Sequence, residues 1–80
     1  MRIGEAVRQR IEELCRQQDL TVNKLSNISD VTQSTVNNIV SGRNRSATIS
    51  TIKKLCDGFG ITIQEFFDST LFSDLEQEVK

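Results

Sequence analysis

Three amide side chains and one hydroxyl recur at helical spacing near the middle of the chain, at Gln33, Ser34, Asn37 and Asn38. Residues one turn apart share a face of an α-helix, so these four would lie side by side. A side-chain amide presents a donor and an acceptor together, and this pair complements the N6 and N7 edge of adenine in duplex DNA. Asparagine and serine are poor helix formers, so the pattern favours a recognition surface over an ordinary polar one.

Other reactive side chains do not combine into a catalytic or metal-binding set. The chain has no histidine, and its two cysteines, Cys15 and Cys56, lie far apart in no metal-ligand spacing. No nucleophile with its base, phosphate-binding loop or carboxylate pair can be assembled. We therefore expect no enzyme, cofactor, metal or small-molecule substrate, and we interpret both cysteines as small buried hydrophobes.

The net charge of −1 conceals an uneven distribution of charged residues. Residues 1–64 carry nine basic and six acidic side chains, whereas residues 65–80 carry one lysine and five acidic side chains. A basic segment is suited to a polyanion, although charge taken alone favours an ordinary solvated surface. The length of 80 residues predicts one soluble domain. We expect no signal peptide or membrane span, and a cytoplasmic location.

One pattern occurs four times in the sequence. An apolar residue is followed by threonine, then by three other residues, and then by a second apolar residue. The instances are Leu20-Thr21 to Leu25, Val31-Thr32 to Val36, Ala47-Thr48 to Ile52, and Ile61-Thr62 to Phe66. Threonine at an N-cap accepts a hydrogen bond from a free backbone N–H, and the flanking apolar residues form a hydrophobic staple. In the last instance Glu65 completes a capping box. The repeated pattern predicts four short helices in succession.

An apolar stripe at Ile3, Val7, Ile11 and Leu14 predicts a further helix before these four. The five predicted helices run over 4–18, 22–28, 33–41, 49–58 and 63–68, with the fourth ending at Gly58 or Gly60. No alternating run bounded by hairpin turns is present, so the fold class is all-α.

The second and third predicted helices are joined by only Ser29 to Thr32, and so short a link makes them cross steeply. Ser26 is the small side chain expected at this crossing. The inward-facing residues are predicted to be Leu25, Val31, Val36 and Ile39. The amide-rich face of the third helix is then left pointing outward.

The segments Leu20–Ser26, Val31–Ile39, Ser41–Asn44 and Thr48–Thr62 resemble the lambda-repressor/Cro-like helix-turn-helix of the XRE family. The resemblance covers roughly residues 3–68. It implies a compact five-helix domain in which the second and third helices form the helix-turn-helix. It also implies that the third helix enters the major groove of double-stranded DNA, commonly as one half of a homodimer on paired half-sites.

The resemblance implies base contacts from Gln33, Ser34, Asn37 and Asn38. The predicted phosphate contacts are Thr21, Asn23, Lys24, Thr32, Thr35, Arg43, Asn44 and Arg45. Free N–H groups at helix N-termini attract phosphate, and arginine adds contacts that position the protein without reading sequence.

Two departures from the family pattern concern the packing of the helices. Asp30 stands where many members have glycine in the turn, although aspartate tolerates a left-handed backbone less well. Cys15 and Val40 stand where an arginine and a glutamate often form a buried pair, so we predict that these two side chains touch.

Residues 1–68 are predicted to form the Cro/C1-type domain, and residues 69–80 an acidic amphipathic segment. Its apolar residues Leu71, Phe72, Leu75 and Val79 would share one face of a short helix. This face could cover the domain's own core or pack against a second chain, and the sequence leaves both open.

The predicted function is a sequence-specific transcriptional regulator, a repressor that acts by occupying its operator. The alternative is a protein-interaction module of the antitoxin or anti-repressor type, which keeps the fold and binds a protein partner with little DNA affinity. The pI of about 5.3 and the absence of arginine and lysine from the third helix favour this alternative.

Overall fold

Threonine begins four of the helices, as the repeated pattern predicts. The side-chain oxygen of Thr21 accepts a hydrogen bond from the N–H of Lys24 at 3.1 Å. The side-chain oxygens of Thr32, Thr48 and Thr62 likewise each accept from the N–H of the residue three positions later. Glu65 in turn accepts from the N–H of Thr62 at 2.9 Å, so the predicted capping box is present. Each cap contributes about 1 kcal/mol to helix stability.

The computed structural model describes residues 1–43 and 46–79. These residues form α1 (Ile3–Gln18), α2 (Val22–Ser29), α3 (Gln33–Val40), α4 (Ile49–Phe59), α5 (Ile63–Phe67) and a single 3-10 turn over Thr70–Phe72. The all-α prediction is confirmed, and each helix end falls within one residue of its predicted position. Gly60, at φ 75°, ends α4, whereas Gly58 lies inside it. No helix of these residues has the length and apolar character needed to cross a bilayer.

One core joins the helices. The largest fully buried side chains are Ile11, Leu25, Val36, Leu55, Cys56 and Phe66. The predicted inward-facing residues Leu25, Val31, Val36 and Ile39 are all buried, as is Ser26. The second helix therefore lies between α3 on one side and α4 on the other, and its position fixes that of α3.

The two cysteines differ in their burial. Cys56 is fully buried in the core, whereas Cys15 is half-buried and packs against its edge. Burial raises the pKa of both thiols because it disfavours the charged thiolate. Val40 also packs against the core edge, and its direct contact with Cys15 stays a prediction.

The segment after α5 folds back over the rest of the chain. Phe72 packs edge-to-face on Phe67 with ring centroids 4.8 Å apart, and the N–H of Glu76 donates to the Met1 carbonyl at 3.0 Å. The expected helix is confined to the 3-10 turn, and Val79 is 81% exposed. A single apolar face over residues 71–79 therefore does not form.

α4 approaches α2 closely at Gly58. A Cβ at this position would lie 2.8 Å from the Cβ and 3.1 Å from the Cα of Ser29. Real side chains do not approach so closely, and one of the neighbouring atoms is backbone. The absence of a side chain at Gly58 therefore sets the distance between these two helices.

Replacement of Gly58 by alanine is predicted to lower the free energy of unfolding by about 1–3 kcal/mol, the usual cost of overpacking. The sign is informative, because alanine in an open helix position would instead raise stability by about 1 kcal/mol. Urea unfolding followed by circular dichroism measures the difference. Lys54→Ala, at an exposed position of the same helix, is the control and should stay within about 0.5 kcal/mol of the parent. A stabilised Gly58→Ala variant would contradict the described helix packing.

Candidate nucleic-acid interface

The turn between α2 and α3 is fixed by buried hydroxyls. The Ser26 hydroxyl donates to the carbonyl oxygen of Val31, across the turn, and both residues are buried. The Ser29 hydroxyl donates to the Leu25 carbonyl at 2.6 Å. A buried hydrogen bond is costly to break because its partners cannot turn to water. The Ser26 bond spans the turn and holds α3 at one angle to α2, whereas the Ser29 bond lies within α2.

Asp30 ends α2 in the left-handed backbone region, at φ 57° and ψ 37°. This is the conformation that glycine adopts without steric cost and that other residues adopt less readily. Asp30 therefore adopts the turn conformation for which many family members use glycine, and its backbone is strained. Asp19 ends α1 in the same way, at φ 55°.

Replacement of Asp30 by glycine is predicted to raise the free energy of unfolding by up to about 1 kcal/mol, because the steric strain of the left-handed backbone is relieved. Asp30→Val should lower it, since β-branched side chains are the least tolerant of positive φ. Thermal melts of both variants beside the parent measure the order. Equal stability of the glycine and valine variants would contradict the left-handed turn.

The outer face of α3 carries the four predicted base-contacting residues together. Gln33, Ser34 and Asn37 are exposed and Asn38 is half-buried. They line one shallow concave surface, the α3 concave surface. Its lining residues are Gln33, Ser34, Asn37, Asn38, Val40, Ser41 and Arg43. Sequence reasoning assigned Val40 only to the core side, whereas the structure places it at this surface as well.

The amides of the α3 concave surface are not bonded to other described parts of the chain. Within residues 1–43 and 46–79, the side chains of Gln33, Asn37 and Asn38 make no hydrogen bond to another residue. Their donors and acceptors are therefore free to pair with groups outside the protein. The amide part of this surface offers hydrogen-bond donors and acceptors without formal charge.

The predicted phosphate contacts divide into two groups. Asn23 and Lys24 lie exposed in the first turn of α2, and Arg43 lies exposed after α3. The hydroxyls of Thr21 and Thr32 already serve as helix caps, and the Thr35 hydroxyl bonds that of Thr32 at 2.8 Å. Asn44 and Arg45 lie outside the described residues.

Ion pairs separate the basic side chains into two classes. Arg8 pairs with Glu5 and Glu12, Arg10 with Glu13, Lys53 with Asp57, and Arg2 with Glu78. The carboxylates around Arg8 raise the pKa of its guanidinium, chiefly through the hydrogen bond that the guanidinium donates to Glu5. Arg16, Lys24, Arg43 and Lys54 form no ion pair with another described residue. Two of these unpaired cations, Lys24 and Arg43, belong to the helix-turn-helix and its adjoining loop.

Comparison with known proteins agrees with this geometry. Residues 11–66 match a family model described as helix-turn-helix. The crystal structure of the prophage Lp1 protein 11 is similar at a TM-score of 0.79 and 38% sequence identity, over 94% of this chain and 100% of that chain. No curated protein matches the chain. The matched range includes α2, the turn and α3 in full.

Proposed function

The chain belongs to the XRE type of the helix-turn-helix family, a family of DNA-binding transcription regulators, and we propose that it is a repressor that occupies a specific operator. The observation that supports this most strongly is the α3 concave surface, whose four polar side chains face outward from a helix held by a buried turn. Operator occupancy needs no chemistry by the protein itself. We place this function in the cytoplasm.

The dimensions of α3 suit the major groove. An α-helix with its side chains is about 10–12 Å across, which matches the major-groove width of about 12 Å. Next to α3, the first turn of α2 carries backbone N–H groups that a helix leaves without intrahelical partners. These groups and the Lys24 side chain are suited to a DNA phosphate, which would set the register of α3 on the bases.

Two substitutions separate sequence reading from phosphate binding. On the best site selected from a randomised duplex pool, Gln33→Ala is predicted to lose discrimination at one or two base pairs. Arg43→Ala should weaken binding to all sequences about equally and flatten the salt dependence by about one unit of slope. Lys53→Ala removes the same charge from a different surface hollow and is the matched control, with little change in either measurement.

Two outcomes would contradict the assignment. If both variants bind like the parent, α3 is not the reading element. If no duplex binds even at low salt, the alternative of a protein-interaction module replaces the proposed function, since an electrostatic attraction to DNA would be strongest there.

We also propose that the protein binds DNA as a homodimer, because a single domain of this size makes too few phosphate contacts for tight binding at physiological salt. A dimer needs two half-sites about one helical turn apart, on the same face of the duplex. We expect tight binding to paired half-sites spaced by about 10 base pairs, and much weaker binding to a single half-site.

Light scattering of the complex should give two chains of 9.0 kDa per duplex. Half-sites moved apart by a further half turn keep the base contacts and place the second site on the opposite face, so they are the matched control. Equal affinity for one half-site, for both spacings and for the paired sites would contradict a dimer.

A further inference from the structure

The α3 concave surface combines three chemically distinct parts, and we infer that they read a half-site of consecutive A·T pairs. In this arrangement the amides pair with adenine edges and Val40 contacts a thymine methyl group. Arg43 lies at one end of this run, where it contacts a phosphate. The inference rests on the proposed function and specifies the DNA sequence class that the same surface takes.

The first part is the group of amides. Gln33 and Asn37 are one helical turn apart and exposed, and neither amide is bonded within the described chain. Bidentate amide contacts match adenine, whereas guanine is matched by the two donors of arginine or lysine. No lysine or arginine lies within α3. The bases facing the length of the helix are therefore adenines in preference to guanines.

The second part is the only apolar residue in the lining of this surface. Val40 is half-buried, with one side against the core and the other at the α3 concave surface beside Asn37 and Ser41. Thymine is the one DNA base with a methyl group in the major groove, and an apolar side chain beside it gains by excluding water. Val40 would therefore favour thymine on one strand where the amides favour adenine on the other.

The third part is Arg43, which lies three residues beyond the end of α3. It has no ion pair with another described residue, so its guanidinium is available to a phosphate at the rim. A helix of about 12 Å faces three to four base pairs at about 3.4 Å each. The geometry thus gives a short A·T run that is bounded by the position of Arg43.

Modified bases test the inference directly. After selection from a randomised pool, each thymine of the best half-site is replaced in turn by deoxyuridine, which removes only the methyl group. We expect one position at which the parent protein loses about fourfold in affinity, the worth of one buried methyl. Replacement of each adenine by 7-deazaadenine should cost about fivefold where an amide bonds N7.

Protein variants assign these losses to side chains. The Val40→Ala variant is expected to bind the duplexes with thymine and with deoxyuridine at that position with equal affinity. The Asn37→Ala or Gln33→Ala variant is expected to lose no affinity at one position where 7-deazaadenine weakens binding of the parent. Val40→Asn has a side chain of similar size without a methyl group, and it replaces the alanine variant if the latter is unfolded by circular dichroism. Ile61→Val, which trims a methyl from a half-buried residue at another surface, should keep the full deoxyuridine effect.

The outcomes distinguish the inference from the function on which it rests. A selected half-site of G·C pairs, or one with no thymine that responds to loss of its methyl, overturns the inference and leaves the DNA-binding function standing. A deoxyuridine effect that persists in the position-40 variant also overturns it. Failure to select any duplex at low salt overturns the proposed function and the inference together.

Discussion

The hydrogen bond from the Ser26 hydroxyl to the Val31 carbonyl is the constraint on which the interface depends. It lies inside the turn between α2 and α3, with both residues buried, and it fixes the direction in which α3 leaves the turn. If this angle changed, the amides of α3 would keep their spacing along the helix and lose their orientation. The buried Ser26 hydroxyl and Val31 carbonyl would also be left without a hydrogen-bond partner and out of reach of water, so another angle would cost free energy.

The remaining helices support this turn from behind. Gly58 lets α4 approach α2 at Ser29, and α1 fastens the ends of the later helices. Gln18 donates to the Phe59 carbonyl at 2.9 Å, while Arg10 donates to the carbonyls of Glu65 at 2.8 Å and Phe66 at 2.7 Å. These side chains satisfy carbonyl groups that helices leave free at their C-terminal ends. The scaffold is thereby rigid at the positions that determine where α3 lies.

Local signals in the sequence were sufficient to predict the helices. Each threonine cap acts over three residues, and each apolar stripe repeats over one turn, so both can be found without knowledge of the fold. The outward face of α3 followed because Val36 and Ile39 must point to the core. The contacts of Arg10 and Gln18 join residues more than 40 positions apart, and no local pattern identifies them. Val40 lies both against the core and at the α3 concave surface, and this position likewise depends on how closely α1 and α3 pack.

The C-terminal segment illustrates the same limit. Its apolar residues fit a helical period, yet the chain takes a 3-10 turn over Thr70–Phe72 and then extends towards Met1. Packing of Phe72 on Phe67, together with the backbone bond to Met1, outweighs the weak helix preference of so short a segment. Tertiary contacts of this kind cannot be inferred from periodicity.

The most direct test of this account is a titration of the ¹⁵N-labelled protein with its selected duplex, observed through the side-chain amide resonances. We predict that the NH₂ signals of Gln33, Asn37 and Asn38 move most, together with the backbone N–H signals of the first turn of α2. Large shifts confined to residues 63–79, with the α3 amide signals unchanged, would contradict it.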